Sequence, residues 1–356
     1  MVLLKKLGSK LIADSMIGLD IGNSIVKMVE LRRSNGDVAV NDFMFEPYPE
    51  DTEGTKEEKA IQLIRKLVQE NHVRTRRVVS VIPDKELIER FLYLPAGSSK
   101  KLTGIVKWEV TKHITFPIEE AVYDFSYSEL PEEKKLCVYL VITKRSIVDS
   151  YIAMISGVGF EPFALESKAQ ALTRLLRWMK VTEGRKVAVL DIGSISSSFM
   201  IVENGVLRMT KFIEIGSEDI TSTIVNLVHC TVKDAEDLKM SVGIKREVME
   251  SKDSSPTSVD YNVYSAIEFQ MDRLIQEMKR ALMFYFAQFE WENDPDILFL
   301  TGGASRIPNM DKFLANKLSM EVETIDPVSF MKCNDCEDKG PGTHLSIAFG
   351  LALRKN

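Results

Sequence analysis

The chain states one phrase twice. Leu19-Asp-Ile-Gly-Asn-Ser-Ile-Val-Lys27 returns as Leu190-Asp-Ile-Gly-Ser-Ile-Ser-Ser-Ser198. Each copy closes an apolar run with Asp-Ile-Gly, passes through a turn bearing hydroxyl side chains, and enters a second strand-like run. A third candidate strand follows each time, Asp37 to Phe43 in the first copy and Val206 to Ile215 in the second. A repeated three-strand unit predicts two lobes built on one plan. The 356 residues agree, since they exceed what a single core usually supports. A cleft between related lobes is then the natural ligand site.

Around the first copy the order reads strand, strand, strand, helix, strand. Glu57 to Asn71 carries Ala60, Ile61, Ile64, Leu67 and Val68 at the spacing of one buried helical face, and Arg77 to Pro83 returns to a β-branched run. An insert with its own pattern comes next: strand Leu87 to Pro95, helix Ser99 to His113, strands Val122 to Leu130 and Lys135 to Thr143, and helix Lys144 to Val158. Pro117 helps to stop the first of these helices. After the second copy the pattern gives helices Glu218 to His229 and Val232 to Val242, a polar loop Lys252 to Ser258, and a long helix Val259 to Trp291. Met271, Leu274, Met278, Leu282 and Phe286 on that helix read as core packing. A strand from Asp296 breaks at Gly302 and Gly303, and a strand Val322 to Ile325 and a helix Leu345 to Arg354 close the chain. The division predicted is a tail 1–15, a first lobe 16–86 and 159–185, an inserted subdomain 87–158 and a second lobe 186–356.

Asp20 and Asp191 each end a strand directly before Ile-Gly, where a carboxylate faces a turn that can approach phosphate because glycine lacks a Cβ. Two such groups would share one hydrated Mg²⁺. Amides of Gly22, Asn23 and Ser24, with those of Gly193, Ser194, Ser196 and Ser197, would hold phosphates from the two sides, and Lys27 would add positive charge. Which hydroxyl of Ser196, Ser197 and Ser198 faces the phosphate stays open. An Asp-x-Gly turn is common for conformational reasons alone. The weight comes from the matched pair together with Thr301-Gly-Gly-Ala-Ser-Arg306 after a late strand.

These three segments resemble the two phosphate loops and the adenosine loop of the actin, heat-shock chaperone and sugar-kinase superfamily. The resemblance implies an α/β, actin-like (ribonuclease H-like) two-lobed ATPase fold, with a strand-helix-strand-strand subdomain inserted in the first lobe. It implies ATP and Mg²⁺ as ligands, Gly302, Gly303, Ala304 and Arg306 along the adenosine, Glu236 and Lys239 beside the nucleoside, and Gly216 and Ser217 at the adjoining edge. Where this family often has two glycines, Ile215-Gly-Ser217 has one. The insert resembles that of the FtsA and PilM group. The PilM family is echoed by Lys107-Trp-Glu-Val-Thr-Lys-His-Ile-Thr-Phe-Pro-Ile118, Tyr123-Asp-Phe125, Gly159-Phe-Glu-Pro162 and His344-Leu-Ser-Ile-Ala-Phe-Gly-Leu-Ala-Leu-Arg354. FtsA would continue past this point into a membrane-binding helix, and the type II secretion relative into a membrane span, so PilM is the closer pattern.

That resemblance implies an ATP-binding scaffold of type IV pilus assembly. It would dock the cytoplasmic N-terminal peptide of a PilN-like inner-membrane protein in a groove between first lobe and insert, and link it to pilus motor ATPases and the platform protein. Tyr93, Trp108, Phe116 and Tyr123 belong to that region, although each reads more readily as core than as contact. Glu166, at the crossing between lobes, would orient the attacking water if hydrolysis occurs, or else serve the start of the following helix as a plain carboxylate. Hydrolysis is expected to be slow at most. A filament-forming FtsA-like protein and a small-molecule kinase are the alternatives, and self-association stays open.

Composition excludes some classes. With Lys+Arg 46 against Asp+Glu 52, the net charge of -6 supplies no global pull toward nucleic acid or an anionic membrane. No window is apolar enough for a membrane-spanning helix or a signal peptide. The expected location is the cytoplasm, peripheral to the inner membrane through partners. The basic, amphipathic residues 1–12 read as a frayed tail or as a membrane or partner contact. Cys333 and Cys336 form half a zinc site, which reads as a reduced surface loop.

Overall fold

A computed structural model describes residues 14–34, 37–49, 53–244, 258–289, 294–330 and 342–355. The tail 1–13, the polar stretch 252–257, Trp291, Cys333 and Cys336 lie outside the described residues.

The repeat is carried into the strand order. In the first lobe β1 (Asp14–Ile21), β2 (Ile25–Ser34), β3 (Asp37–Pro47), β4 (Arg77–Val81) and β8 (Glu161–Glu166) form a sheet ordered β3-β2-β1-β4-β8. In the second, β9 (Lys186–Ile192), β10 (Ser197–Glu203), β11 (Val206–Ile213), β12 (Ile297–Thr301) and β13 (Val322–Thr324) are ordered β11-β10-β9-β12-β13, the same plan.

Strand alternation explains how the two sheets face each other. On β1, Ile17, Leu19 and Ile21 join an outer core with α1 (Lys56–Glu70) and α3 (Arg145–Gly157), while Met16 belongs to a central core. On β9, Val187 and Val189 belong to that same central core, and Ala188, Leu190 and Ile192 to an outer one. That second outer core packs against α5 (Ser217–Val228), α6 (Val232–Val242), α7 (Val259–Phe289) and α8 (Met310–Leu318). By parity, Asp20 shares the face of Met16, and Asp191 the faces of Val187 and Val189. Both carboxylates therefore point into the layer between the sheets.

Two helices fill that layer, α4 (Lys168–Trp178) and α9 (Ser346–Ala352). They exchange lobes: α4 leaves the first lobe and packs on β10 and β11, whereas α9 ends the chain against β1, β2 and β4. They cross closely because position 350 is glycine, where a Cβ would lie 2.1 Å from the carbonyl oxygen of Ala171. The closing residues assigned to the second lobe thus help to build the first.

The long helix ends at Phe289 among the described residues, and its stripe is core, with Met271, Leu274 and Met278 buried. Helix α1 begins under a reciprocal cap between Thr55 and Glu58. Its buried face is Ala60, Leu63, Ile64 and Leu67, with the expected Ile61 and Val68 only flanking it. The insert contains β5 (Ile88–Pro95), β7 (Lys135–Lys144) and β6 (Ala121–Leu130) in that spatial order, covered by α2 (Leu102–His113) through Leu102, Val106 and Val110. Helix α3, expected inside the insert, instead buries Met154 and Ile155 in the first lobe's outer core, so the subdomain's own core ends with β7. Among the described residues no helix is long and apolar enough to cross a membrane.

Candidate functional site

A cavity of about 380 Å³ opens where the two hairpin turns meet the residues following β12. The turns are built alike. Gly22 donates its N–H to the carbonyl of Ile25 at 3.1 Å, and Gly193 to that of Ser196 at 3.0 Å. These two amides, expected to hold phosphate, close their own turns, leaving Asn23, Ser24, Ser194 and Ile195 at the tips. The second loop is buttressed by α5, since Ser217 and Glu218 donate backbone N–H groups to the carbonyls of Gly193 and Ser194.

Asp20 and Asp191 are both buried and both line the cavity. Lys27 Nζ donates to Asp20 Oδ2 at 2.8 Å. Burial pushes the Asp191 carboxyl up, against the opposing pull of Lys168 and Lys27. The third loop reaches Asp191 because Gly302 stands at φ +90, where a Cβ would lie 2.4 Å from the carbonyl oxygen of Ile192 and 2.6 Å from Asp191 Oδ1. Thr301 Oγ1 ties this loop to Ser346 Oγ at 2.7 Å, joining it to the start of α9. Gly303, Ala304 and Arg306 continue along the cavity wall.

The run of three serines resolves by the partners of the hydroxyls. Ser196 lines the cavity, Ser197 is buried and donates to the carbonyl of Ile215 at 2.6 Å, and Ser198 donates to Asp84 Oδ2. Gly216 does not line the cavity either. A Cβ there would meet the carbonyl oxygen of Ser194 at 2.3 Å, so it supports the second loop from behind. Ser217, Glu236 and Lys239 do line it. Lys239 Nζ donates to Ser217 Oγ at 2.7 Å, Thr221 Oγ1 at 2.8 Å and Glu236 Oε1 at 2.7 Å.

Glu166 lies elsewhere. Its Oε1 accepts from Arg174 Nη2 at 2.8 Å and from Arg354 Nη1, and it borders a second cavity of about 820 Å³ lined by the insert, the first lobe and Gly205, Val206 and Leu207 of the second. It is not among the residues lining the first cavity, and α4 is capped by the side chain of Ser167. The residues that sequence reading missed are Asp84, Lys85, Lys168 and His344, all lining the first cavity. Lys168 stands two positions after Glu166, where the turn from strand into helix swings the side chain to the cleft. His344 is buried with neither ring nitrogen hydrogen-bonded among the described residues, and its ring meets Phe45 edge-on. Burial first, then Lys27 and Arg306, push its pKa down to about 4 against the pull of Asp20.

Five cations, Lys27, Lys85, Lys168, Lys239 and Arg306, face four carboxylates, Asp20, Asp84, Asp191 and Glu236, across this cavity. The balance favours an anionic guest. Among the described residues no three His, Cys, Asp or Glu side chains are arranged to ligate a metal. Mg²⁺ keeps waters and is shared with phosphates, so Asp20 and Asp191 fit a hydrated ion delivered with a nucleotide rather than a resident one.

Two sheets of one order, a carboxylate at the end of each inner strand and a cleft between them define an actin-like ATPase fold. Solved structures share it: ethanolamine utilization protein EutJ from Carboxydothermus hydrogenoformans (TM-score 0.57, 14% identity, 97% of this chain and 91% of that chain) and MreB5 of Spiroplasma citri bound to AMPPNP (TM-score 0.54, 10% identity, 94% of each). The sequence model for type IV pilus assembly protein PilM matches residues 18–356, and the chain belongs to that family. A solved PilM-PilN type IV pilus biogenesis complex matches with TM-score 0.78 at 25% identity, over 95% of this chain and 98% of that chain.

Proposed function

We propose that this protein is a cytoplasmic ATP-binding scaffold of type IV pilus assembly, held at the inner membrane by a PilN-like partner and passing nucleotide state to the pilus motor ATPases and platform protein. The observation that carries the ATP reading is the meeting of both repeat turns and the Gly302 loop at one cation-rich interlobe cavity. The phosphates would lie between the tips at Asn23, Ser24, Ser194 and Ser196, and the nucleoside along Gly302 to Arg306 with Glu236 and Lys239. A Mg²⁺ carried in with them, its waters on Asp20 and Asp191, would neutralise phosphate charge. Turnover is slow in this reading, because Glu166 is held by arginines away from the cleft.

The PilN-like segment would occupy the second cavity. Strand β6 is the outer strand of the insert sheet and β8 the outer strand of the first-lobe sheet, and both line this groove. An extended peptide adds to such an edge through main-chain hydrogen bonds. Tyr127 and Phe163 offer exposed apolar surface there, and Arg174 and Arg177 cationic ends. Of the aromatics singled out in the sequence, Tyr123 lines the groove, whereas Tyr93 donates its hydroxyl to the carbonyl of Arg208 at 3.0 Å. A short connection supports coupling of cleft and groove: Lys168 follows Ser167, whose hydroxyl shares a 2.7 Å hydrogen bond with Tyr139 of the insert.

Calorimetric titration with ATP and Mg²⁺ tests the cleft. Wild type should bind, and Gly302→Val, whose side chain would press on the Ile192 carbonyl and Asp191 where the third loop enters the cavity, should bind at least about tenfold more weakly. Equal binding by the two proteins would place ATP elsewhere. Phosphorylation of a small hydroxyl compound would favour a kinase.

A further inference from the structure

Both carboxylates expected to serve a metal already have a lysine beside them. For Asp20 the partner is Lys27, at 2.8 Å. For Asp191 it is Lys168, whose Nζ lies 4.0 Å from Asp191 Oδ2 and 3.4 Å from Asp84 Oδ2. The contrast between these contacts matters. The Lys27 pair has the length of a full charge-assisted hydrogen bond, while the Lys168 ammonium rests between two oxygens at longer range. It carries three donors and its side chain is 17% exposed, so donors are left over in a position facing the cavity.

Lys168 also spans the lobes. It opens α4, which packs between the sheets; Asp84 follows β4 of the first lobe, and Asp191 ends β9 of the second. Burial opposes its charge, but Asp84, Asp191 and Asp20 together outweigh that and hold its pKa above the ordinary lysine range. A divalent cation placed at Asp191 would have this ammonium as a like-charged neighbour.

We propose that Lys168 is a phosphate-binding residue of the cleft, neutralising the terminal phosphates of a bound nucleoside triphosphate so that ATP is held with little dependence on a divalent cation. The proposal rests on the reading of this cleft as the ATP site. Lys168 replaces its two long contacts with one to the phosphate, and in doing so draws the first-lobe and second-lobe loops onto the same anion. Asp84, with the Ser198 hydroxyl already on its Oδ2, keeps a partner when Lys168 turns away.

The test is calorimetric titration of the full chain with ATP, ADP and inorganic phosphate, each in Mg²⁺ and in EDTA, for wild type, Lys168→Ala and Lys168→Arg. Wild-type affinity for ATP should fall less than about tenfold on replacing Mg²⁺ by EDTA. Lys168→Ala should lose at least about tenfold in EDTA, a typical charged hydrogen-bond contribution, and less in Mg²⁺. Lys168→Arg should recover most of the EDTA binding, and the loss should be larger for ATP than for ADP. Wild type that binds ATP in Mg²⁺ alone, or Lys168→Ala with the wild-type dependence on Mg²⁺, overturns the proposal while leaving the ATP site standing. No ATP binding by wild type in either buffer overturns both. If Lys168→Ala does not fold, Lys168→Gln takes its place, and wild-type dependence on Mg²⁺ in that variant overturns the proposal in the same way.

Discussion

Replacing His344 with glutamine should remove much of the protein's sensitivity to mild acid. In the folded chain the imidazole is buried, unpartnered among the described residues and flanked by Lys27 and Arg306, and its pKa stands near 4 against an ordinary 6.5. The folded state therefore binds the proton less readily than the unfolded state. Stability is whole above the unfolded value and is lost as pH falls from about 6.5 toward 4. The full difference corresponds to about 3 kcal/mol, and roughly 2 kcal/mol of it falls between pH 7 and pH 5. Urea denaturation of wild type and His344→Gln at those two pH values measures it. Wild type should lose about 2 kcal/mol more than the variant. Equal losses would refute the picture of a neutral imidazole forced against two cations. Other titrating groups, such as Glu89, cancel in the comparison.

Gly302→Ala should cost roughly 1–3 kcal/mol through its positive φ alone and weaken ATP binding at least tenfold by pressing the third loop off Asp191; unchanged urea midpoint and affinity would contradict the close approach. Glu166→Gln should leave ATP affinity within about twofold and weaken capture of a PilN-like peptide, because its carboxylate faces the second cavity; a loss of ATP binding in calorimetry would return Glu166 to the nucleotide site.

Much of the architecture was legible because a repeat is a statement about topology: two copies of one strand-turn-strand phrase became two sheets of one order. The carboxylates were legible for the same reason, with parity along β1 and β9 turning both toward the middle layer. Parity was hidden where residue types gave no alternation, as in Ser196 to Ser198, and only the partners of Ser197 and Ser198, the Ile215 carbonyl and Asp84, showed that Ser196 is the one lining the cavity. The lobe exchange by α4 and α9 was not legible, because the apolar face of α4 shows that it is buried but not which sheet covers it, while α9 is buried along its whole length and depends on a glycine contact across the chain. Glu166 stands at the crossing, with its carboxylate held by Arg174 and Arg354 beside the second cavity. Sequence distance to the cleft was right to within two residues, but a strand end and a helix start point their side chains in different directions.

Fluorescence anisotropy of a labelled peptide from the cytoplasmic N-terminus of a PilN-like protein, titrated with the full chain in the presence and absence of ATP, tests the nucleotide-responsive scaffold most directly. The account predicts capture in the second groove that tightens at least about fivefold with ATP, the lower end of ordinary coupling between two sites. Identical affinity with and without ATP, in protein that binds ATP, would contradict it.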